Sequence, residues 1–181
     1  DVTVGLEAVY EFADMIQNTT TPIMNWAFSR EACELEHKIG IIMAGGEDAF
    51  QKRPNFVHYS EPISPLVSDY HAMDKCVYCA ENRIPQVYTP CSIGGATVAA
   101  SHAAQIIIGL SEAMVGVVVS QLINPGTCVI VGGVQSILDM SRTVYSYGAP
   151  ELSILTAGMT EMAHFCGLPM FSTSGCTDTK S

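Results

Sequence analysis

The sequence is short of basic residues. Lysine and arginine number 8 against 18 aspartates and glutamates, which gives a formal net charge of −10. This balance disfavours nucleic acid and anionic membrane surfaces as main partners, because both are bound through clusters of positive charge. Charged residues make up only 14% of the chain and hydrophobic residues 48%, so we expect little of it to be disordered.

Several motifs of cofactor and metal sites are also missing. No dinucleotide fingerprint follows the first predicted strand, and no lysine follows Gly94-Gly95 as it does in a P-loop. CVYC at 76–79 has no second CxxC, and its apolar spacing is typical of a buried helix face. The seven cysteines, an odd number, favour reduced thiols in a cytoplasmic protein over a disulfide framework. We therefore expect no metal bound by this chain.

The ends of the chain and its most apolar stretch also carry information. The chain opens without methionine or a signal-peptide pattern, so we expect a segment of a longer protein. Residues 106–122 are the most hydrophobic stretch, yet Glu112 lies near its middle. A charge at that place favours a buried helix over a membrane span.

Short apolar segments alternate with helical ones along the whole chain. Such alternation predicts right-handed βαβ units and a parallel sheet. Five strands would suit an open doubly wound sheet or most of a (β/α)8 barrel, and we favour a barrel of TIM type with about five of its eight strands present. We expect one domain over 1–181 without an internal boundary. Strands are predicted at 22–28, 55–59, 86–89, 127–132 and 170–173, and helices at 5–17, 30–44, 67–82, 96–122 and 150–165.

Working residues of parallel α/β folds gather where the strands end. Here that edge collects one acid, Glu61, among aromatic, hydroxyl and small residues, with almost no lysine or arginine. Pro62 and Pro65 stiffen the backbone around it. A carboxylate beside aromatic faces suits a small cationic ligand, although a glutamate in a structural loop facing water would read the same. The candidate substrate-binding residues are Trp26, His58, Tyr59, Tyr88, Gln135 and Ser174.

Six segments carry a resemblance to a known family. They are EPISPL at 61–66, IPQVYTP at 84–90, GGATVAA at 94–100, QLINPG at 121–126, DMSRTVYSYGAPE at 139–151 and GLPMFSTSGCTDTK at 167–180. In order, spacing and content they resemble the trimethylamine methyltransferase (MttB-like) superfamily of corrinoid-dependent methyltransferases, from about Arg30 to the last residue. The resemblance implies that this chain is the central portion of a (β/α)8 barrel.

The resemblance also implies a reaction and its partners. Family members pass a methyl group from a methylated amine to Co(I) of a corrinoid (cobalamin) carried by a partner protein, in settings such as methanogenesis. We therefore expect a corrinoid protein and a small cationic amine as partners, no cofactor held by this chain itself, a cytoplasmic location and a homo-oligomer.

One position narrows the substrate. In the trimethylamine enzymes of the family, a pyrrolysine occupies the position that matches Cys176 here. The resemblance thus indicates a member without pyrrolysine, and some of these demethylate quaternary amines such as glycine betaine, proline betaine or carnitine. Glu61 and Cys176 are the candidate catalytic residues. We expect Glu61 to be the counter-charge of the cation and Cys176 to line the pocket without acting as a nucleophile.

Two other functions stay open on the residues alone. One is a module that binds a betaine or an amine without transferring anything. The other is a zinc-thiolate methyltransferase, in which Cys76, Cys79 or Cys91 would bind the metal.

Overall fold

The computed structural model describes residues 3–173 and 175–177, and its helices and strands follow the predicted alternation. Every predicted strand and helix is present, with the fourth predicted helix beginning at residue 102 instead of 96. In chain order the elements are α1 (Glu7–Gln17), β1 (Ile23–Asn25), α2 (Arg30–Ala44), α3 (Glu47–Lys52), β2 (Phe56–Ser60), α4 (Tyr70–Glu81), β3 (Gln86–Tyr88), β4 (Ile93–Gly94), α5 (His102–Ile123), β5 (Val129–Gly132), β6 (Ser136–Asp139), β7 (Val144–Tyr145), α6 (Pro150–Phe165) and β8 (Met170–Phe171).

The five strands predicted from the sequence form one parallel sheet in the order β1-β2-β3-β5-β8. Ile23 lies opposite Phe56 in the first pair of strands, and Val131 lies opposite Met170 in the last. A parallel sheet whose strands are joined through helices is consistent with part of a TIM-type barrel. The predicted α/β fold class is therefore confirmed.

A second, smaller sheet was not predicted. It has the order β4-β6-β7, with β4 parallel to β6 and β6 antiparallel to β7. These strands are two to four residues long. Such short strands carry no readable alternation, which is why the sequence predicted only loops there.

The chain forms two compact units. Unit 1 holds the described residues of 1–60, 70–87 and 119–129, and unit 2 holds those of 61–69, 88–118 and 130–181. The prediction of a single domain without an internal boundary stays a prediction.

The core of unit 1 is built on aromatic rings beneath α2. The Phe56 ring lies 5.0 Å from Phe12 and 5.5 Å from Phe50, centroid to centroid. A Cβ at Gly40 would come within 2.7 Å of the Phe56 ring, so α2 approaches the sheet as closely as only glycine permits. Ser29 caps α2, because its Oγ accepts a hydrogen bond from Ala32 N at 3.3 Å.

One helix, α5, is long and apolar enough to cross a membrane by length and composition, although the core helix of a globular fold passes the same test. Its polar side chains Gln105, Glu112 and Ser120 are all buried. In unit 2 a Cβ at Gly116 would come within 2.5 Å of the Tyr88 ring, so this turn of α5 packs directly on the ring.

Candidate active site

The segment after β2 forms a tight turn that holds Glu61 at its start. Ile63 and Val67 pair antiparallel, with backbone N···O distances of 2.8 and 3.0 Å. Leu66 has a φ of 56°, in the left-handed region that bulky side chains rarely adopt. A backbone of this kind persists only when contacts outside the turn hold it in place.

A buried carboxylate on α5 supplies those contacts. Glu112 is 2% exposed. Its Oε2 accepts a hydrogen bond from Ser64 Oγ at 2.8 Å, and its Oε1 accepts one from Leu66 N at 2.6 Å. Hydrogen bonds to an ionised acceptor are shorter and stronger than neutral ones. Glu112 therefore fixes the turn that carries Glu61, a role that the sequence signalled only as one acid inside an apolar helix.

The β6–β7 hairpin brings two tyrosines together. The rings of Tyr145 and Tyr147 lie 4.6 Å apart between centroids, at 61° to each other. Tyr145 donates its hydroxyl to Val134 O at 2.9 Å, which anchors the ring to the loop after β5. At the tip of the hairpin, Asp139 Oδ1 accepts hydrogen bonds from Ser141 N and Ser141 Oγ at 2.9 and 2.6 Å. Neither tyrosine was among the residues predicted from the sequence, because strands as short as β7 show no alternation.

Glu61 and two thiols of unit 2, Cys91 and Cys176, lie within electrostatic range of these rings. Burial raises the pKa of the Tyr147 phenol, and Cys91, Glu61 and Cys176 raise that pKa further. Burial is also the main reason that the pKa of Cys91 is raised; Glu61 adds to that rise and Tyr145 opposes it. One acid, two thiols and the Tyr145 ring thus lie near Tyr147 in unit 2.

A cleft of about 430 Å³ opens beside this group. Tyr147 and Cys176 line it, together with the first turns of α6, where Pro150 occupies the first helical position. None of the residues that line the cleft in the described part of the chain is basic. The structure thus brings Cys176 and Tyr147 to one cleft.

The other predicted site residues of unit 2 lie in its interior. Tyr88 is fully buried and donates its hydroxyl to Ser68 Oγ at 3.2 Å. Gln135 is also fully buried, and its Nε2 donates to Pro90 O at 3.3 Å. Ser174 lies outside the described residues. The structure therefore gives Tyr88 and Gln135 packing and hydrogen-bonding positions, and their predicted contact with substrate stays a prediction.

Three further predicted residues belong to unit 1. Trp26 is 48% exposed and its ring lies 4.5 Å from that of Phe28. His58 is fully buried, with Nδ1 3.8 Å from Cys33 Sγ. Tyr59 is half-buried and alternates with His58 along β2, so the two side chains point to opposite faces of the sheet. Their roles in substrate binding stay predictions.

The arrangement in unit 2 suits a cation better than an anion. A carboxylate supplies negative charge, and tyrosine faces attract a positive group through the ring quadrupole. The raised pKa values keep Cys91 and Tyr147 neutral above their ordinary range. Glu61 is the acid of this cluster.

Comparison with known proteins gives one family. A family model described as "Trimethylamine methyltransferase (MTTB)" matches residues 7–181. A glycine betaine methyltransferase from Desulfitobacterium hafniense (strain Y51) is 28% identical over 181 residues, 100% of this chain and 38% of that protein. A trimethylamine methyltransferase MttB from strain DCB-2 of that species is 32% identical over 143 residues, 79% of this chain and 29% of that protein.

The name of a third relative includes a corrinoid. The proline betaine:corrinoid methyltransferase of Eubacterium limosum is 29% identical over 127 residues, 70% of this chain and 26% of that protein. The chain therefore spans about two fifths or less of the length of these relatives.

Proposed function

The chain belongs to the trimethylamine methyltransferase (MTTB) family, and from that membership we propose that its protein transfers a methyl group from a quaternary amine or methylamine to a corrinoid protein. The reduced corrinoid, carried by the partner protein, supplies the nucleophile that accepts the methyl group. This chain then holds no cofactor of its own and works on the amine. We also propose a cytoplasmic location and assembly as a homo-oligomer, as the sequence analysis expects.

One observation supports the proposal: in unit 2, Tyr147 and Cys176 line an open cleft, and the pKa of the Tyr147 phenol is raised by burial and also by Cys91, Glu61 and Cys176. We assign Glu61 as the counter-charge of the onium group, with Tyr145 and Tyr147 as aromatic walls. Cys176 lines the cleft and forms no covalent bond. The substrate contacts predicted from the sequence for Trp26, Tyr59 and Ser174 stay predictions.

The reaction asks little acid–base chemistry of these residues. A quaternary ammonium has no proton to lose, and its nitrogen keeps the C–N electron pair and leaves as a neutral amine. The site must therefore strip water from the cation and aim one methyl group outward. Positive charge on nitrogen fades in the transition state, so several carboxylates would hold the substrate more tightly than the transition state. One carboxylate shared with rings avoids that penalty.

A methyl-transfer assay tests the proposal. The protein in its natural full length is mixed with reduced cobalamin, free or on its corrinoid protein, and with a panel of betaines and methylamines. We expect a methylcobalt absorbance that depends on both enzyme and one class of methylated amine. Saturable binding of a betaine without methyl transfer would instead identify a binding module and refute the assigned activity.

A further inference from the structure

Three metal-ligating side chains meet in the interior of unit 1. Cys33 comes from the first turn of α2, His58 from β2 and Cys79 from the last turn of α4, and each is 0% exposed. Cys33 Sγ lies 3.8 Å from His58 Nδ1 and 4.0 Å from Cys79 Sγ. All three ligand atoms lie within 4.8 Å of one another.

These separations are close to those of a tetrahedral zinc site. Zinc–sulfur bonds of about 2.3 Å and zinc–nitrogen bonds of about 2.0–2.1 Å place two sulfurs about 3.8 Å apart, and a sulfur and a nitrogen about 3.6 Å apart. The two measured distances from Cys33 Sγ exceed these values by only a few tenths of an ångström. Small side-chain rotations would therefore complete the geometry without moving the backbone.

The surroundings of the cluster hold polar atoms that lack partners. Glu36, one turn after Cys33 on α2, is 0% exposed, and neither of its oxygens has a hydrogen-bond partner within the described part of the chain. His58 Nε2 is likewise buried and unpaired there. Buried polar atoms without partners are unusual in a protein interior, and a bound ion or an ordered water is a common explanation.

The two thiols also favour a bound cation. Two thiolates with a neutral imidazole would balance the double charge of a divalent ion.

We propose that Cys33, His58 and Cys79 bind a structural Zn²⁺ ion in the interior of unit 1. Thiolate and imidazole ligands are the set that zinc takes in proteins. The ion would join α2, β2 and α4 at one point. Because the ligands are fully buried, no substrate thiol reaches them, and the site has no part in methyl transfer.

This assignment departs from the sequence analysis, which expected no metal. CVYC is not a ligand pair, because only Cys79 joins the cluster. Cys76 lies one turn earlier on α4 with its Sγ 3.5 Å from Ser120 Oγ. Cys76 is therefore a matched control: a buried thiol on the same helix, outside the proposed site.

Metal analysis of the full-length protein, purified without chelator, is the first test. We expect about one zinc per chain in the wild type and in Cys76→Ser, and at least about a tenfold loss in Cys33→Ser and Cys79→Ser. A wild type that stays metal-free after exposure to zinc would overturn the proposal. Zinc retained in both ligand variants at the wild-type level would also overturn it.

A second test needs no variant, in case a ligand substitution prevents folding. Titrating the wild-type protein with a mercurial thiol reagent should release zinc in step with the reaction of buried thiols. Replacement of zinc by Co²⁺ should give the visible absorption of a tetrahedral, thiolate-bound ion. A Cys33–Cys79 disulfide in the freshly isolated protein, or cobalt with an octahedral oxygen-ligand spectrum, would contradict the assignment.

Discussion

Replacing Glu112 by glutamine separates the anchoring of the Glu61 turn from the chemistry of the site. Glutamine has nearly the same shape but only one acceptor oxygen, whereas the wild-type carboxylate accepts from both Ser64 Oγ and Leu66 N. The Leu66 N–H has no rotational freedom, so the amide oxygen is needed there. The Ser64 hydroxyl then faces the amide NH₂ and must turn to accept.

The size of the loss follows from these contacts. Hydrogen bonds to a charged partner contribute about 1.5–3 kcal/mol each, so we expect Glu112→Gln to lower the free energy of unfolding by about 2–3 kcal/mol. Ser64→Ala removes one donor only and should cost about 1 kcal/mol. The double variant should cost about 1 kcal/mol less than the sum, because the two changes remove the same hydrogen bond.

The turn itself should also relax in the Glu112 variant. Without the anchor at Ser64, the turn loosens and Glu61 moves away from Tyr147. Misplacement of a substrate-positioning group by about 1 Å lowers turnover about 100-fold. We therefore expect kcat/KM for demethylation to fall by about 10- to 100-fold in Glu112→Gln. At a temperature where this variant stays folded, its lower stability does not explain such a fall.

Urea unfolding and steady-state demethylation by the full-length protein measure both effects. Glu161→Gln, an exposed acid on α6 in the same unit, is the control and should match wild type in both assays. The reasoning is refuted if Glu112→Gln unfolds within about 0.5 kcal/mol of wild type, or if its effect and that of Ser64→Ala simply add.

Three further predictions concern the cleft. Glu61→Gln should lower kcat/KM for a quaternary amine by about 5- to 100-fold, because a partly solvated charge pair contributes about 1–3 kcal/mol. The unfolding curve of this variant should match that of the wild type. Unchanged turnover would remove Glu61 from the mechanism. Cys176→Ala should keep near-normal turnover in the same assay, and complete loss would show a covalent role. The raised pKa values of Tyr145 and Tyr147 predict that both phenols ionise above the ordinary value of about 10. The stability that the two neutral phenols contribute is therefore fully present below pH about 10. It is lost as the pH rises through the pKa values of the folded protein. Tyrosinate absorbance of the wild type minus that of each Phe variant measures this, and a difference centred at or below pH about 10 would contradict it.

The sequence predicts the main sheet well because its signals are local. Each strand of that sheet is a short apolar run, and the long helices end at glycines such as Gly45, whose φ of 90° suits a helix stop. The same reasoning places Glu61 at a strand end, where the structure has it. Periodicity and turn chemistry are sufficient for elements of this length.

The parts that the sequence did not predict depend on contacts distant along the chain. Across the β6–β7 hairpin, Ser136 Oγ donates a hydrogen bond to Ser146 O. A strand of two residues, such as β7, shows no alternation of apolar and polar residues in the sequence. Tyr145 and Tyr147 were missed with it. Glu112 was visible as an acid in an apolar helix, but its partners lie 46 and 48 residues away.

The buried cluster shows the same limit. Cys33 precedes His58 by 25 residues and Cys79 by 46, spacings that match no zinc motif. Alternation along β2 does not say which face of the sheet the His58 side chain occupies. Its packing against Cys33 of α2 shows which face it is. The pattern could show that the thiols are buried, but not that they meet.

The central claim is that one carboxylate and two tyrosine rings recognise positive charge on a methylated nitrogen. Competition between glycine betaine and its carbon isostere 3,3-dimethylbutanoate tests it most directly, because the two differ only in the charge at one atom. The account predicts that the wild-type protein binds betaine at least about 10-fold more tightly, and that Glu61→Gln narrows this ratio. Equal affinity for the two molecules, or a ratio that Glu61→Gln leaves unchanged, would contradict it.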